Sequence, residues 1–430
     1  MSSGIIALVL LGAFILLVCV GVPIGFALGL AGVLGLVMMD VTFMMFSQTL
    51  ISGIDNFALL AIPFFVLLGA ILEKSQISKS LIDLADELIG FLPGGLAVGT
   101  VLSSMLFATA SGSGPATVAA IGSITIPEME KRGYAPSFSM GAAAAAGALG
   151  PIIPPSIPLI IYGVVAEESI LRLFLAGLGA GILFALLMVV YSIWRAIREK
   201  IPRSQQRPSP RRVAQLLWKA RYAIGAPVIV LGGIYSGAFT PTEAGAIGCV
   251  YALLVGIFLE RTLDLKTLYQ CFADGTKNSA MIMFVIASAN LFAWLMASAQ
   301  IPAIAADAIS NLSDNKYIFL LLVNILFLVI GSLLDTPAAI VIIVPILEPI
   351  ATQLGIDPIH FGAIIVVNFV IGYITAPFGY NLFVTKSITG RGMGEVSMSV
   401  MPFLAVCLFG LLLLTYIPQI TLFLPRLLMG

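Results

Sequence analysis

Two short polar segments interrupt apolar stretches of this chain. The first is Ser111-Gly-Ser-Gly114, followed by Pro115, and the second is Asp335-Thr336, followed by Pro337. Hydroxyl, carboxylate and backbone carbonyl oxygens are the ligands that hard cations prefer. Free N–H groups at the start of a helix bind anions. The two segments could therefore hold a cation and an anion, if the chain places them in a site shielded from lipid.

A second pair of interruptions has the same character. Gly150-Pro-Ile-Ile-Pro154 precedes Pro155, and Gly372-Tyr-Ile-Thr-Ala376 precedes Pro377. Proline suits the first turn of a helix, where its missing N–H would have no partner in any case. Each of these prolines is therefore predicted to restart a helix in the middle of an apolar segment.

The composition shows what surrounds these breaks. Of 430 residues 60% are apolar and 10% are charged, and the mean hydropathy is +1.10. Soluble domains are about 25% charged, so the chain is predicted to be one membrane domain without a soluble domain. The N-terminus lacks the basic start of a secretory signal peptide. The four cysteines form no CxxC pair, which argues against a zinc site or a disulfide framework.

Spans of roughly 20 apolar residues divide the chain into ten predicted crossings and two re-entrant hairpins. The predicted crossings are 4–20, 22–38, 57–73, 136–165, 170–194, 222–239, 242–260, 276–300, 358–388 and 399–425. The hairpins are 97–131 and 317–354, which carry the polar segments at their tips. The basic segment 195–221 is predicted to be a cytoplasmic linker between a first half, 1–194, and a second half, 222–430. Nucleic-acid binding is the less favoured interpretation of its charge.

The positive-inside rule tests this scheme. With 195–221 in the cytoplasm, 18 of the 21 Lys and Arg residues lie inside, and only Arg172, Lys316 and Arg426 lie outside. Both termini then lie outside. Counting either hairpin as a crossing would invert the loops that follow, so the bias favours hairpins.

Prolines indicate an internal repeat. Four of them recur 222 residues later, and Gly133 and Gly150 recur with the same offset at Gly355 and Gly372. The four proline pairs are Pro115 and Pro337, Pro127 and Pro349, Pro136 and Pro358, and Pro155 and Pro377. An odd number of predicted crossings separates equivalent positions, so the two halves would be inverted. Paired broken segments in inverted halves indicate a transporter binding site.

Exposed backbone at membrane depth is tolerated only inside protein or along a cavity, so the four breaks should surround one pocket. Helix ends there would bind Na+ through carbonyls and an anion through N–H groups. Asp335 is the carboxylate at a tip, and neither tip nor break contains Lys or Arg. The residues expected to contact the anion are Ser113, Thr117, Pro155, Ser156, Thr336, Pro377 and Asn381.

Structural explanations remain open for individual residues. Gly-Ser-Gly and Thr-Pro motifs also form packing seams and kinks in membrane helices, and Asp335 could be a buried hydrogen-bonding residue. Glu243 is expected to cap a helix rather than bind a ligand. For His360, a position near the membrane surface is favoured over a proton relay.

Motifs along essentially the whole chain resemble the large membrane subunit, of DctM type, of the tripartite ATP-independent periplasmic (TRAP) transporters. The motifs are Gly21-Val-Pro-Ile-Gly25, Leu60-Ala-Ile-Pro-Phe-Phe65, Ser111-Gly-Ser-Gly-Pro-Ala-Thr-Val-Ala119, Pro151-Ile-Ile-Pro-Pro-Ser-Ile157, Gly232-Gly-Ile-Tyr-Ser-Gly-Ala-Phe-Thr-Pro-Thr-Glu-Ala244, Leu354-Gly-Ile-Asp-Pro-Ile-His360 and Asn381-Leu-Phe-Val384. The resemblance implies a non-enzymatic, all-α carrier of the bacterial inner membrane with an elevator-type, ion-transporter-superfamily-like architecture.

The resemblance also implies Na+ coupling with one sodium site in each half. Ser111, Gly112, Ser113, Gly114 and Gly150 would frame the first site. The second would be framed by Gly331, Asp335, Thr336, Gly372 and Thr375. The implied partners are a four-span membrane subunit of DctQ type and a periplasmic binding protein of DctP type. That protein would deliver an organic acid such as a C4-dicarboxylate or sialic acid.

One segment departs from the family pattern. The second break usually reads Thr-Pro-Pro-Val-Gly, whereas here it is Thr375-Ala-Pro-Phe-Gly379, followed by Tyr380. Pro377 is kept, so sodium binding is expected to be kept, but the substrate is left open. A stand-alone carrier or channel is the alternative function. An enzyme is disfavoured because the chain has no HExxH or Walker A motif.

Overall fold

A computed structural model describes residues 3–75, 78–201, 208–304, 315–332 and 334–430. Over these residues the regular structure is helical and there is no strand, so the predicted all-α fold is confirmed. In chain order the helices are α1 Ser3–Cys19, α2 Ile24–Met38, α3 Met44–Ser52, α4 Ala61–Lys74 (entered through the turn Phe57–Leu60), α5 Ser78–Ile89, α6 Gly95–Ser111, α7 Gly114–Thr117 continued by Val118–Gly122 and Ser123–Lys131, α8 Pro136–Gly147, α9 Ile157–Val165, α10 Ile170–Arg198, α11 Pro210–Tyr235, α12 Pro241–Leu254 continued by Val255–Leu259, α13 Leu265–Ser298, α14 Lys316–Gly331, α15 Thr336–Gln353, α16 Pro358–Gly372, α17 Tyr380–Thr389, α18 Met393–Tyr416 and α19 Gln419–Met429.

Six of the described helices are long and apolar enough to cross a membrane by length and composition. Six shorter apolar helices accompany them, including α1, α2, α6, α14 and α16. The chain is therefore a multi-pass membrane protein, whereas the count of ten crossings stays a prediction.

One predicted crossing is wrong as a single helix, and one predicted linker is partly helical. The span predicted at 399–425 is two helices, α18 and α19, because Pro418 disfavours helical geometry at Ile417, which has φ −121° and ψ 80°. The segment predicted as a linker, 195–221, is helical at both ends, since α10 runs to Arg198 and α11 begins at Pro210. Residues 202–207 of that linker lie outside the described part of the chain.

Helix contacts divide the structure into two groups. In the first, α13 packs against α2 and α4, α12 packs against α4 and α11, and α11 reaches α5. In the second, α6 packs against α8, α14 against α16, α8 against α18, and α10 against α19. We call these the outer group and the site group. They meet where α4, α5 and α11 contact α6 and where α13 contacts α15.

The breaks lie within the site group and have local causes. The helix α6 ends at Gly112, which adopts a left-handed conformation with φ +58°. A Cβ atom there would lie 2.8 Å from the carbonyl oxygen of Pro155, so both the conformation and the space require glycine. The second arm of each hairpin then begins with proline inside its first turn, Pro115 in α7 and Pro337 in α15. The arms α6 and α7 contact each other, as do α14 and α15.

Candidate functional site

Hydroxyl groups converge at the tip between α6 and α7. Ser113 is extended and caps α7, because its Oγ accepts a hydrogen bond from the Ala116 N–H at 3.4 Å. The Thr117 hydroxyl donates to the Ser113 carbonyl oxygen at 2.7 Å, and the Ser111 and Thr117 hydroxyl oxygens lie 3.1 Å apart. Ser111 and Thr117 are buried. One turn of chain therefore gathers three hydroxyls and a backbone carbonyl.

The first helix break packs directly on this tip. A Cβ atom added to Gly150 would lie 2.5 Å from the Ser113 carbonyl oxygen, so the two backbones touch. After the break, Ser156 caps α9 by accepting a hydrogen bond from the Leu159 N–H at 3.3 Å, and its hydroxyl donates to the Pro151 carbonyl oxygen. The contact leaves no room for a side chain between tip and break.

The second tip repeats this arrangement with a carboxylate. Asp335, which occupies the position 222 residues after Ser113, caps α15 by accepting the Thr336 N–H at 3.1 Å. The Thr336 hydroxyl oxygen lies 3.1 Å from the hydroxyl of Tyr373 in the second break. Gly372 packs on the backbone of Gly331, again with no space for a Cβ atom.

Asn381 joins the two halves. It lies in α17 and is fully buried, and its side-chain N–H donates to the Ala144 carbonyl oxygen of α8 at 2.9 Å. Its Oδ1 has no hydrogen-bond partner among the described residues. A Cβ atom on Gly114 would lie 2.9 Å from that oxygen, so Oδ1 points at the first tip. An amide oxygen without a hydrogen-bond donor among the described residues therefore lies beside the hydroxyls of the first tip.

One cavity of about 320 Å³ is lined by both tips. The first tip contributes residues 111–116, and the second contributes Asp335 and Pro337. Tyr373 and Tyr380 flank the second tip, and their rings meet edge to face with centroids 5.4 Å apart. The opposite wall belongs to the outer group and includes Gly69 and Glu73 of α4 and Asn278 of α13. The cavity therefore lies where the two groups of helices meet.

The predicted site residues fall into three sets. Ser111, Gly112, Ser113, Gly114 and Asp335 line the cavity. A second set lies behind this lining, in contact with it or with residues next to it: Thr117, Gly150, Pro155, Ser156, Gly331, Thr336, Gly372 and Asn381. The structure does not bring Thr375 or Pro377 to the cavity. Thr375 donates its hydroxyl to the Ile371 carbonyl oxygen at 2.8 Å, and Pro377 lies in an exposed stretch beside Phe378.

Among the lining residues that the sequence did not predict, Glu73, Asn278 and Tyr373 carry polar side chains. Glu73 stands beside Lys74 at the end of an apolar span, where a charged residue normally marks the membrane surface. Asn278 follows Lys277 in the same way, and Tyr373 lies within the second break as one aromatic residue among many. The chain offers no local signal that these three face one cavity, because that follows from the packing of α4 and α13 on the tips.

The charged side chains that line the cavity are acidic. Glu73 and Asp335 are the charged side chains that line it, and no Lys, Arg or His is found among the described lining residues. A cation is therefore favoured near Asp335. An anion must instead use helix N-termini, hydroxyls and any cation bound beside it.

Comparison with known proteins places the chain in a family. Residues 11–420 match the family described as the tripartite ATP-independent periplasmic transporter, DctM component. The chain is 42% identical to the isethionate TRAP transporter permease protein DctMQ of Oleidesulfovibrio alaskensis, over 96% of this chain and 66% of that protein. It therefore spans just under two thirds of that relative.

Two further relatives are matched over most of their own length. The C4-dicarboxylate TRAP transporter large permease protein DctM of Pseudomonas aeruginosa is 44% identical over 86% of this chain and 87% of its own. The sialic acid TRAP transporter large permease protein SiaM of Vibrio cholerae is 35% identical over 95% of this chain and 96% of its own.

Solved structures share the fold at low sequence identity. The YdaH transporter of Alcanivorax borkumensis aligns with a TM-score of 0.61 at 17% identity, covering 85% of this chain and 86% of that one. MtrF of Neisseria gonorrhoeae aligns with a TM-score of 0.62 at 13% identity, covering 89% and 86%. With the family match over residues 11–420 and the relatives at 35–44% identity, the chain belongs to the DctM family of TRAP transporter large permeases.

Proposed function

We propose that this chain is the transporting subunit of a sodium-coupled importer for a small organic acid anion. The observation that carries the proposal is the cavity lined by both tips, where hydroxyls, a carboxylate and two capped helix starts meet. Oxygen atoms near the ends of α6 and α14 suit Na+, and the N-termini of α7 and α15 suit an acid group. The two ligands would lie close enough to stabilise each other.

The sodium sites follow from the two contacts between tip and break. The first would use the chain around Ser111–Gly114 and Gly150, and the second the chain around Gly331, Asp335, Thr336 and Gly372. In both places glycine permits a close approach of two backbones, which brings a carbonyl oxygen of the tip against the break. Ordered backbone carbonyls at a helix break are the usual ligands of coupling ions in membrane transporters.

The substrate class is supported by the relatives. Their names specify isethionate, C4-dicarboxylates and sialic acid, all of which are organic acids. The cavity volume of about 320 Å³ accommodates acids of this size range. We propose delivery by a periplasmic binding protein of DctP type, and a small membrane subunit of DctQ type as a permanent partner. The DctMQ name of the isethionate relative supports the second partner.

The transport motion is proposed to be an elevator in which the site group slides against the outer group. The cavity lies at the contact between these groups, so their relative movement would change access to it. The end of α4 at Glu73 and Lys74 lies on the side that the distribution of Lys and Arg assigns to the cytoplasm. We therefore propose that this conformation faces the cytoplasm of the inner membrane and that both termini are periplasmic.

Uptake into proteoliposomes tests the proposal. The chain is reconstituted with a small subunit of DctQ type and a binding protein of DctP type, and uptake of labelled organic acids is measured with and without an inward Na+ gradient. Wild-type uptake should require both Na+ and the binding protein. Asp335→Ala and Ser113→Ala should each lose sodium-driven uptake, whereas Ser236→Ala, which removes an exposed hydroxyl bonded to the Gly233 carbonyl, should keep it. Equal uptake by all four proteins would refute the proposed site.

Two other outcomes would change the class. Sodium-driven uptake without any binding protein would indicate a stand-alone carrier. A single-channel current across a planar bilayer would indicate a pore, because an elevator exposes its site to one side at a time.

A further inference from the structure

A buried pair of amides joins the first arm of the second hairpin to the second broken helix. Asn368 of α16 donates a hydrogen bond from Nδ2 to Oδ1 of Asn324 in α14 at 2.8 Å. Asn324 in turn donates from its own Nδ2 to the hydroxyl oxygen of Thr415 in α18 at 3.0 Å. All three side chains are at most 3% exposed. The amides therefore connect a hairpin arm, a broken helix and a helix near the C-terminus.

A histidine extends this chain of hydrogen bonds to the last helix. The ring nitrogens of His360, near the start of α16, lie 2.7 Å from the Thr421 hydroxyl oxygen and 3.3 Å from the Thr415 carbonyl oxygen. His360 and Thr421 are also buried. The first half of the broken helix is consequently bonded at two levels to α18 and α19.

The amide pair is the second of four successive contacts between α14 and α16, after the ring pair of Phe319 and Phe361, whose centroids are 6.2 Å apart. The next is the edge-to-face pair of Phe327 and Phe369, with ring centroids 5.0 Å apart. The last is the backbone contact of Gly331 with Gly372 at the break. Asn324 lies seven residues before Gly331, about 10 Å along the helix axis. Any axial shift at the amides would therefore displace the glycine contact.

At the equivalent positions of the first half, which the structure describes, there is no such pair. The positions 222 residues earlier are Leu102 in α6 and Ala146 in α8, and these two helices also pack together. Apolar side chains in a membrane allow helices to slide with little change in energy, since lipid and protein are equally apolar. A hydrogen bond between amides has a direction and a length, so it selects one register. At these equivalent positions, polar groups fix the contact between α14 and α16 but not the contact between α6 and α8.

We propose that Asn324 and Asn368 are positioning residues for the second cation site. Their hydrogen bond sets the register of α14 against α16, which presents the backbone at Gly331 and Gly372 to the cation in one geometry. They set the sodium affinity of the second half and do not touch the ion. This inference rests on the proposed sodium coupling.

The test is the sodium dependence of thermal unfolding for the full-length chain in lipid nanodiscs. NaCl is increased against choline chloride at constant ionic strength, and the Na+ concentration for half-maximal stabilisation is read. The double variant Asn324→Leu/Asn368→Ala reproduces the pairing of the first half and leaves neither amide unpaired. We expect its half-point to rise at least about fivefold, while its melting temperature in choline chloride changes by less than about 3 °C.

A matched control removes a different amide bond. Asn290 donates to the Thr49 carbonyl oxygen at 3.0 Å within the outer group, so Asn290→Leu should leave the half-point unchanged. If the double variant does not fold, Thr415→Val keeps both amides and removes only the outer bond, and a smaller rise is expected. A folded variant with an unchanged half-point overturns the inference. Identical wild-type curves in NaCl and choline chloride would overturn the sodium coupling, and the inference with it.

Discussion

Gly150 lies against the carbonyl oxygen of Ser113 so closely that a methyl group on its α-carbon would come within 2.5 Å of that oxygen. This contact joins a helix break to a hairpin tip through backbone alone. It places the carbonyl of the tip residue just beyond the point where α8 ends at Gly147. The site is therefore built by the close approach of two backbone segments of the same chain rather than by long side chains.

Gly150→Ala should abolish the first sodium site while the protein still inserts into the membrane. The added methyl group must push tip and break apart, and overpacking of this kind destabilises a protein by about 1–3 kcal/mol. We expect sodium-driven uptake to fall at least about tenfold, because the ligands would be displaced by more than they can tolerate. Gly394→Ala is the control, since nothing lies within 4 Å of the position its Cβ would take. Unchanged uptake by Gly150→Ala would show that this contact is not part of the site.

A disulfide between positions 69 and 111 should trap the conformation described here. An ideal Cβ atom on Gly69 of α4 lies 3.6 Å from the Ser111 Cβ, within the range that a disulfide requires. The double variant Gly69→Cys/Ser111→Cys, in a Cys19→Ser background, should cross-link on mild oxidation. Cross-linking is measured by labelling the thiols that remain free with a thiol-reactive reagent of high mass and comparing the mobility of the protein on a denaturing gel.

The cross-link also tests the elevator. Uptake by the oxidised protein should be at least about tenfold lower than uptake by the same protein after reduction, because the site group could no longer slide. If reduction restores too little uptake to compare, the rate of cross-linking should differ between Na+ and choline chloride. Equal uptake before and after reduction, or a cross-linking rate that does not depend on Na+, would contradict a sliding motion at this contact.

Glu73 should discriminate against substrates with two negative charges. It lines the cavity opposite the tips, and the described lining offers no basic residue to compensate it. Two like charges about 8 Å apart at an intermediate dielectric repel by about 1 kcal/mol, or roughly fivefold in binding. Glu73→Gln should therefore improve uptake of succinate, a dianion at pH 7.5, relative to isethionate, a monoanion with a hydroxyl group, by about that factor. Glu199→Gln, which alters a carboxylate paired with Arg195 away from the cavity, should leave the ratio as it is.

Asp264 should make the start of α13 sensitive to acid. Hydrogen bonds from the Thr267 hydroxyl and backbone N–H hold the pKa of this carboxyl below its usual range. A group with a lowered pKa in the folded state stabilises the fold above its unfolded pKa, near 4, and loses that contribution as the pH falls through the folded pKa. Thermal unfolding measured from pH 7 to pH 3 should show a steeper decline for the wild-type chain than for Asp264→Asn, which caps the helix without titrating. Parallel curves would contradict this role.

The sequence predicts the helix breaks because proline and glycine act locally. Pro155 and Pro377 lie before the helices that they were predicted to restart, since α9 begins at Ile157 and α17 begins at Tyr380. Pro115 and Pro337 do fall within the first turn after a break, where the missing N–H costs nothing, and Gly112 stands where the backbone turns left-handed. Such effects depend on one or two residues and can be inferred without knowledge of the packing. The break before Pro418 also has a local cause, because a residue that precedes proline disfavours helical geometry.

The remaining parts of the site depend on packing that no local pattern records. Glu73 becomes a lining residue only because α4 crosses the first tip at Gly69. Asn324 and Asn368 are separated by 44 residues, and each one alone is a polar residue in an apolar helix. The amphipathic helix α5 was missed because its charged face, with Asp86 paired to Arg132 at 2.9 Å, resembles a loop in hydropathy. Partner choice in these cases is a property of the folded chain.

The hydrogen bond from Asn381 to the Ala144 carbonyl has a consequence for the order of loading. It ties the restarted helix of one half to the interrupted helix of the other, so neither break can become ordered while the other stays loose. Ligands arriving at the two halves would then share a single ordering cost, and the first to arrive would prepare the place of the next. Saturation curves for the ion and the acid are expected to be mutually dependent, each shifting to lower concentration in the presence of the other.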